Sequence, residues 1–419
     1  MDKTFDVVVW GATGFTGRLV AEYLADRYGL DGELKWTIGG RNGQKLESVR
    51  QAFKAGVGQL PPQVADSHDL EALRAIVRQT RVMCTTVGPY ARYGSELVQA
   101  CAEEGVDYCD LTGEVHWMHD MILRHDASAA ASGARIVHTC GFDSIPSDLG
   151  VFYVQRAMAE AHGVYAAEVK YRALDFKGGF SGGTVASMLD MLERAEQDPS
   201  LEQLISDPYA LDPQDGARGL DGPDSNTAFY DADFKAWAAP FVMAGINTRV
   251  VRRSHALMGY PYGADFRYNE ATLIRGGVLG ATIAASVSVG TAGVLAAMAF
   301  APTRNLLARW LPSPGEGPSQ TAREAGFFKI ALLGKHPETR AKDVLIYVRG
   351  DRDPGYGSTA KMLAESAVCL ARDGINVGGG IATPASTMGA ALVDRLHQNA
   401  GVTFELTSRT EPEGAPDAR

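Results

Sequence analysis

The sequence predicts an α/β protein with an N-terminal doubly wound parallel sheet and a second α+β domain containing a mostly antiparallel sheet. Three observations predict this class. An apolar run at residues 7–10 breaks at a glycine-rich turn and continues with helical period. Short apolar strands then alternate with helices to about residue 148, as in parallel sheets. After Pro146 this alternation stops, so we expect domains at 1–148 and 149–410.

The first strand and the turn after it are the most informative stretch. Glycines at positions 11, 14 and 17 follow the apolar run, and helical periodicity then resumes. Strand, glycine-rich turn and helix form the phosphate-binding unit of a Rossmann dinucleotide fold. The glycines allow the backbone to approach a pyrophosphate, which then lies at the helix N-terminus. The cofactor-binding residues predicted here are Gly11, Thr13, Gly14, Phe15, Thr16 and Gly17.

The end of the second strand indicates which dinucleotide binds. Folds that prefer NAD usually place an acid here to hold the ribose hydroxyls. This chain has no acid at the end of the second strand. Arg41 follows that strand instead, and Lys45 comes one helical turn later. The planar guanidinium suits the 2′-phosphate of NADP. The alternative is a solvated arginine that opens a surface helix. We predict NADP(H), with Arg41 and Lys45 in the site.

Two later strand ends complete the predicted cofactor site. Asp66 ends the third strand, where it can lie beside the adenine or simply start a turn. The fourth strand, residues 81–87, runs into a Gly-Pro-Tyr turn at the carboxyl edge of the sheet, near the topological switch point. We therefore expect Val87, Gly88 and Pro89 to contact the cofactor. Further strands at residues 106–110 and 134–139 complete the parallel sheet.

The second half is predicted to carry the substrate. Helices are expected at Ser358–Arg372 and Pro384–Gln398, and the final helices are expected to pack back on the first domain. The predicted strands are Ala167–Ala173, Thr248–Ser254, Ala264–Ala271, Gly326–Leu333 and Ala341–Gly350.

Composition limits the classes of function. The 419 residues are 45% hydrophobic and 21% charged, which excludes wholesale disorder. The net charge of -10 argues against nucleic acid as the main partner. Five cysteines, with no CxxC pair, predict reduced thiols in a cytoplasm and no metal site.

One apolar segment does not fit an ordinary surface. Residues 276–303 contain no ionisable side chain, while Arg275 precedes them and Arg304, Arg309 and Trp310 follow. The length would suffice for a bilayer span, but the run is rich in small residues and only mildly hydrophobic. A crossing would also separate the two parts of the second domain. We favour contact with a membrane surface or an acyl chain over an ordinary core helix.

Taken together, several motifs resemble those of the saccharopine dehydrogenase-like oxidoreductases. They are VVWGATGFTGR, GGRN, TTVGPYARYG, YCDLTGE, CGFDSIPSDLG and SGGT. Within that group the chain most resembles the trans-acting enoyl reductases of mycobacterial lipid biosynthesis, and NTRVVRRS and TPASTMG extend the similarity over nearly all residues. The glycine-rich motif is generic, whereas DLTGE together with GFDSIPSD is more specific to this group.

This resemblance implies an activity and a partner. Members of the enoyl reductase branch use NADPH to reduce a double bond in an acyl chain on a polyketide synthase that lacks its own reductase domain. The expected substrate is thus an acyl thioester or another lipid. Two alternatives stay open: an oxidoreductase acting on a C–N bond, and a non-catalytic, membrane-associated NADP-binding protein. We expect a cytoplasmic protein, peripheral at the inner face of the plasma membrane, and allow for a homodimer.

Enoyl reduction needs a hydride at the β-carbon, stabilisation of the developing enolate and a proton at the α-carbon. The catalytic candidates are Tyr90, Tyr93 and Asp143. Either tyrosine hydroxyl could donate the proton or pack the turn, and no Tyr-x-x-x-Lys pair is present. Asp143 and three further polar residues at strand ends, Asp110, Glu114 and His138, can orient substrate or water, or can cap helices and satisfy loop amides. The amides of Ser181–Thr184 can bind a carbonyl oxygen or start a helix.

Overall fold

Two seven-stranded sheets organise the described part of the chain. The computed structural model describes residues 3–53, 61–178, 187, 190–191, 193–194, 198–274, 276–308 and 317–407. The strands are β1 (Phe5–Trp10), β2 (Trp36–Gly40), β3 (Gln63–Val64), β4 (Thr80–Thr85), β5 (Asp107–Cys109), β6 (Arg135–Val137), β7 (Glu168–Lys177), β8 (Phe229–Asp231), β9 (Ala236–Ala239), β10 (Arg267–Leu273), β11 (Phe327–Lys335), β12 (Val344–Gly350), β13 (Gly380–Ala382) and β14 (Val402–Leu406).

Helices connect and cover these strands. They are α1 (Phe15–Tyr28), α2 (Gly43–Ala52), α3 (Leu70–Val77), α4 (Tyr90–Tyr93), α5 (Ser95–Glu104), α6 (Val115–Ser132), α7 (Ile145–His162), α8 (Pro199–Ser206), α9 (Ala244–Leu257), α10 (Gly277–Ala299), α11 (Ala301–Ala308), α12 (Gln320–Glu324), α13 (Thr359–Arg372), α14 (Pro384–Thr387) and α15 (Gly389–Arg395). Short helical turns lie at Arg340–Lys342, Pro354–Ser358 and Leu396–Ala400.

The first sheet is parallel throughout, in the order β13-β6-β5-β4-β1-β2-β3. All six residues of β1 are buried. Val7 and Val9 belong to the core on one face, whereas Val8 and Trp10 belong to the core on the other. A strand covered on both faces has no solvent side, which explains its unbroken apolar run. This sheet confirms the predicted doubly wound architecture.

The second sheet has the order β14-β12-β11-β7-β10-β9-β8. Only β7 and β10 pair in parallel; every other neighbouring pair is antiparallel. Helices α7 and α9 lie against it. This mixed, mostly antiparallel sheet also confirms the predicted fold class.

The predicted strand at Thr248–Ser254 is wrong, because these residues lie inside helix α9. Its three arginines are buried, and each has a hydrogen-bonding partner. Arg249 pairs with Asp224 at 2.7 Å, and Arg252 pairs with Asp221 at 2.9 Å. Arg253 donates to the carbonyl oxygens of Leu211 and Ile381. Buried guanidinium groups are tolerated only with such partners, and sequence periodicity does not reveal them.

The end of the chain returns to the first sheet. Strand β13 pairs with β6, which makes it the edge strand of the parallel sheet. Helix α13 shares one hydrophobic core with α1, β1, β4 and β5. Its Glu365 is fully buried and accepts hydrogen bonds from the hydroxyls of Tyr23 and Tyr28, each at 2.7 Å. The first sheet is therefore built from both ends of the chain, and a boundary at residue 148 stays a prediction.

Candidate active site

The glycine-rich turn lies between β1 and α1 as the sequence predicts. Gly11 has φ +93°, a conformation that L side chains rarely adopt. Its amide donates to Gly39 O at 2.9 Å, and the amide of Gly14 donates back to Gly11 O at 2.9 Å. Helix α1 then begins at Phe15 with Gly14 as its N-cap, and no side chain caps it. Its first amides can thus bind an anion.

The three glycines differ in what an added side chain would contact. A Cβ at Gly17 would overlap Gly11 O, and a Cβ at Gly11 would lie 2.6 Å from Val87 Cγ2. These two glycines are needed for packing. At Gly14, by contrast, Gly11 O at 3.3 Å is the only described neighbour within 4 Å of a Cβ position. The space beside Gly14 is open above the helix N-terminus, so this turn fits a pyrophosphate.

The other predicted residues of the turn are partly accessible. Thr13 and Thr16 are half-buried. The Phe15 ring contacts the edge of the Tyr356 ring, with centroids 4.7 Å apart, and the Arg323 guanidinium lies 5.2 Å from its centroid. The second half of the chain therefore reaches the first turn of α1, a contact that sequence reasoning missed.

At the end of β2, Arg41 is exposed and has no ion pair among the described residues. The neighbouring Asn42 caps α2 by accepting from the Lys45 amide at 3.0 Å. Lys45 is also exposed. The guanidinium of Arg41 and the ammonium of Lys45 are therefore accessible to a phosphate, and their cofactor roles stay predictions.

Arg41→Ala should weaken NADPH binding by about 10- to 100-fold, the usual range for losing a charged hydrogen-bonding partner. NADH affinity should change little, because NADH carries no 2′-phosphate. Isothermal titration of wild type and variant with both nucleotides measures the difference. Equal losses for NADPH and NADH would contradict the assignment.

Asp66 is exposed and belongs to a turn in this structure. Its Oδ1 accepts the His68 amide at 2.9 Å, and its backbone oxygen accepts the Asp69 amide at 3.1 Å. These hydrogen bonds are the ones expected if Asp66 simply starts a turn. Contact with the adenine stays a prediction for Asp66.

A buried acid, Glu114, holds the loop after β4 in place. Val87 and Pro89 are half-buried and Gly88 is exposed. Glu114 accepts the amides of Tyr90 at 2.8 Å and Ala91 at 2.9 Å, which caps the short helix α4. Ser187 donates to the same carboxylate at 2.6 Å, and burial raises the pKa of Glu114. Glu114 thus holds the loop that is predicted to contact the cofactor, as expected for a residue that caps a helix.

The two candidate tyrosines occupy different environments. The Tyr90 hydroxyl is buried, donates to Thr85 O at 3.3 Å and accepts the Leu111 amide at 3.4 Å. Burial raises the pKa of Tyr90 well above its usual value. These contacts favour the packing alternative for Tyr90. Tyr93 is half-buried, with its ring 5.7 Å from the His68 ring.

Asp110 and His138 form a fully buried pair behind the loops. His138 Nδ1 lies 2.7 Å from Asp110 Oδ2, which also accepts the Tyr108 hydroxyl at 2.9 Å. Asp110 Oδ1 accepts the amides of Thr112 and Thr139, each at 3.1 Å. The pair therefore ties together the loops that follow β5 and β6.

Asp143 differs from Glu114 and Asp110, whose carboxylates accept several hydrogen bonds. It is half-buried, and no hydrogen bond to its carboxylate occurs among the described residues. Burial alone raises its pKa to about 6. A Cβ at Gly113 would lie 3.9 Å from Asp143 Oδ2, so the loops after β5 and β6 meet here. Of the three catalytic candidates, Asp143 has the environment that best suits proton transfer.

Behind Asp143, a buried polar chain links the two halves. Ser144 Oγ donates to Asn247 Oδ1 at 3.1 Å, and Asn247 Nδ2 donates to Glu270 Oε2 at 3.0 Å. The Tyr268 hydroxyl donates to Glu270 Oε1 at 2.6 Å, and burial raises the pKa of Glu270 to about 7. This hydrogen-bonded network was not predicted from the sequence. Its one signal in the sequence was the acid Glu270, at a position where the strand pattern predicts a side chain that faces inward.

One group of side chains has ligand-like spacing. Glu114, His116 and Asp190 place ligand atoms within 4.8 Å of one another. However, Arg92 and Arg194 pair with opposite oxygens of Asp190, at 2.5 Å and 2.8 Å. Their positive charge and the donors to Glu114 already satisfy these acids, and we assign no metal here. The predicted Ser181–Thr184 site lies outside the described residues.

Comparisons with known proteins identify the family of this chain. Residues 7–137 match the family model for the saccharopine dehydrogenase NADP binding domain. The chain is 41% identical to a Mycobacterium tuberculosis protein provisionally named a trans-acting enoyl reductase, with 97% of this chain and 98% of the relative covered. It is 37% identical to the trans-acting enoyl reductase of Mycobacterium ulcerans, with the same coverage.

A solved structure supports the fold alone. Apo saccharopine dehydrogenase (L-Glu forming) from Saccharomyces cerevisiae matches with a TM-score of 0.51 and 11% identity, covering 96% of this chain and 99% of that one. The family model confirms the predicted cofactor, NADP(H).

Proposed function

The chain belongs to the saccharopine dehydrogenase-like oxidoreductases, in the family of trans-acting enoyl reductases, and from this premise we propose that it reduces the double bond of an enoyl thioester. The observation that carries the proposal is the similarity over nearly the full length of these relatives. It includes the second half, which we predict to bind substrate, as well as the NADP-binding part.

The protein is an NADP-dependent oxidoreductase, and bound NADPH supplies the hydride. The chain supplies the positioning. The backbone around Gly14 accommodates the pyrophosphate at the N-terminus of α1, and Arg41 binds the 2′-phosphate. Glu114 holds the loop of Val87, Gly88 and Pro89 at the carboxyl edge of the sheet, where ligands of doubly wound folds bind.

Enoyl reduction also consumes a proton at the α-carbon, and we assign its delivery to Asp143. A half-buried carboxyl with a pKa of about 6 retains a protonated fraction near neutral pH. Its side chain is half-buried, so part of it stays accessible to a substrate. The polar chain from Ser144 to Glu270 lies directly behind it and fixes the Asp143 loop.

We further propose that the substrate arrives as an acyl chain on a polyketide synthase in the cytoplasm. The support is the name of the relatives, since a trans-acting reductase works on a chain carried by another protein. Arg92 in helix α4, directly after the loop that follows β4, is paired with Asp190. It is therefore not free to bind the carboxylate of an amino-acid substrate.

NADPH oxidation against a panel of thioesters tests the function. We expect turnover with 2-enoyl thioesters and a product that has gained two hydrogens by mass spectrometry. Saturated thioesters of equal length should give no turnover and serve as the control. Oxidation of NADPH with imino acids alone would contradict the proposal and favour the C–N alternative.

A further inference from the structure

Helix α10 is the most apolar surface element of the described chain. From Gly276 to Thr303 the sequence contains no Asp, Glu, Lys, Arg or His. The helix has 23 residues, which corresponds to roughly 35 Å. Among the described residues it is the one helix whose length and composition would allow it to cross a membrane. Most of it is exposed.

One narrow stripe of α10 contacts the rest of the protein. Gly280, Ala284 and Ser288 are buried at four-residue intervals, and the helix packs against β9. Small side chains permit this close approach. Exposed apolar side chains lie outside this stripe, and Val278 and Val289 are 86% and 73% exposed.

The exposed apolar residues cover too wide an arc for a single partner helix. Val278 and Val289 point in nearly the same direction, whereas the exposed Val287 lies on the opposite side, about 180° from Val278 at 100° per residue. A second copy packing one helix against α10 would cover only part of this arc. The acyl region of a lipid leaflet can surround the whole exposed half.

Both ends of α10 return to the same sheet, which argues against a crossing. Strand β10 precedes the helix and β11 follows the next helices, and only β7 separates these strands in the sheet. Arg304 is buried and donates to Met298 O at 3.3 Å. The Arg304 guanidinium is therefore directed back at the end of the helix. Arg309 and Trp310 lie outside the described residues.

Aromatic side chains border the exposed helix. Tyr230 on β8 is half-exposed, and its ring pairs with the Trp237 ring on β9 at 5.7 Å. Phe300, directly after α10, is also exposed. Tyrosine and tryptophan are enriched where proteins meet the headgroup region of a bilayer. Their position beside an uncharged helix is a second observation that points to lipid.

We propose that α10 lies within one leaflet of a phospholipid membrane, parallel to its surface, and attaches the enzyme there. The stripe at Gly280, Ala284 and Ser288 stays against the protein, and the valine-rich half faces the acyl chains. Membrane attachment of this kind would bring the active site to substrates too apolar to diffuse freely in water.

Flotation with vesicles of phosphatidylcholine and phosphatidylglycerol tests the proposal. Wild type should float with the vesicles, and Val278→Glu with Val289→Glu should weaken binding by at least about tenfold. Leu123→Glu with Leu220→Glu is the matched control, because it places the same two charges at exposed leucines outside α10. It should float like wild type. NADPH affinity verifies that each variant folds.

A labelled variant keeps the test valid if the double glutamate variant fails to fold. The five native cysteines are buried, so Val289→Cys can be labelled selectively with an environment-sensitive dye. We expect a blue shift when vesicles are added. Absence of both the shift and flotation would overturn the proposal. So would a dimer that the glutamates dissociate without any vesicle binding, since a second copy would then cover the helix.

Discussion

Replacing Gly14 with valine should abolish NADPH binding by a protein that still folds. Gly14 has an ordinary backbone conformation, φ -78°, and is exposed, and a Cβ there would lie 3.3 Å from Gly11 O, a much smaller conflict than a Cβ at Gly17 would meet. The valine side chain would occupy the open space where the pyrophosphate must approach the helix N-terminus. We expect affinity to fall by at least about a hundredfold.

Calorimetric titration and thermal unfolding together measure this effect. Gly17→Ala is the informative comparison, because its Cβ would overlap Gly11 O in the apoprotein. That variant should lose stability, whereas Gly14→Val should unfold near the wild-type temperature. Unchanged NADPH affinity in folded Gly14→Val would show that the cofactor does not bind at this turn.

Asp143→Asn should lower kcat by about 10²- to 10³-fold while NADPH affinity stays unchanged, because general acid catalysis contributes on this order. An amide fills the same space but cannot deliver the proton. Tyr90→Phe and Tyr93→Phe serve as matched variants and should retain most activity. A large loss in either tyrosine variant, with little effect of Asp143→Asn, would assign the proton to that hydroxyl instead.

The pH profile gives an independent readout of the same group. Burial raises the pKa of Asp143 to about 6, and the active form is the protonated one. Activity that depends on Asp143 is therefore present below about pH 6 and falls as the pH rises above it. The dependence of kcat/KM on pH should show this fall in wild type and lose it in Asp143→Asn. A profile unchanged by the substitution would contradict the role.

Local sequence signals predicted the parts of the fold that are locally determined. Gly11, Gly14 and Gly17 predicted the turn, because their spacing reflects the backbone geometry of a few adjacent residues. The apolar run of β1 predicted a strand buried on both faces. Helix α9 was predicted as a strand because its arginines hid the apolar pattern. Arg249, Arg252 and Arg253 follow helical spacing themselves, which was the signal to use.

Long-range pairing explains what the sequence could not show. Ser144 and Asn247 are 103 residues apart, and Asn247 is 23 residues from Glu270. No periodicity connects positions that meet only after the two sheets pack. Tyr356 likewise reaches Phe15 across most of the chain. Asp143 was a candidate because it follows a strand end, whereas the burial that raises its pKa is a property of the folded protein.

The use of both chain ends in the first sheet has a consequence during synthesis. Cys84 and Cys109 lie in the same core as Met362 and Leu363 of α13, and β6 gains its outer neighbour only when residues 380–382 have been made. A nascent chain that ends at residue 148 would expose this apolar face to water. The NADP-binding half must therefore wait for almost the whole polypeptide to leave the ribosome, and truncated products should be recognised as unfolded by cellular proteases.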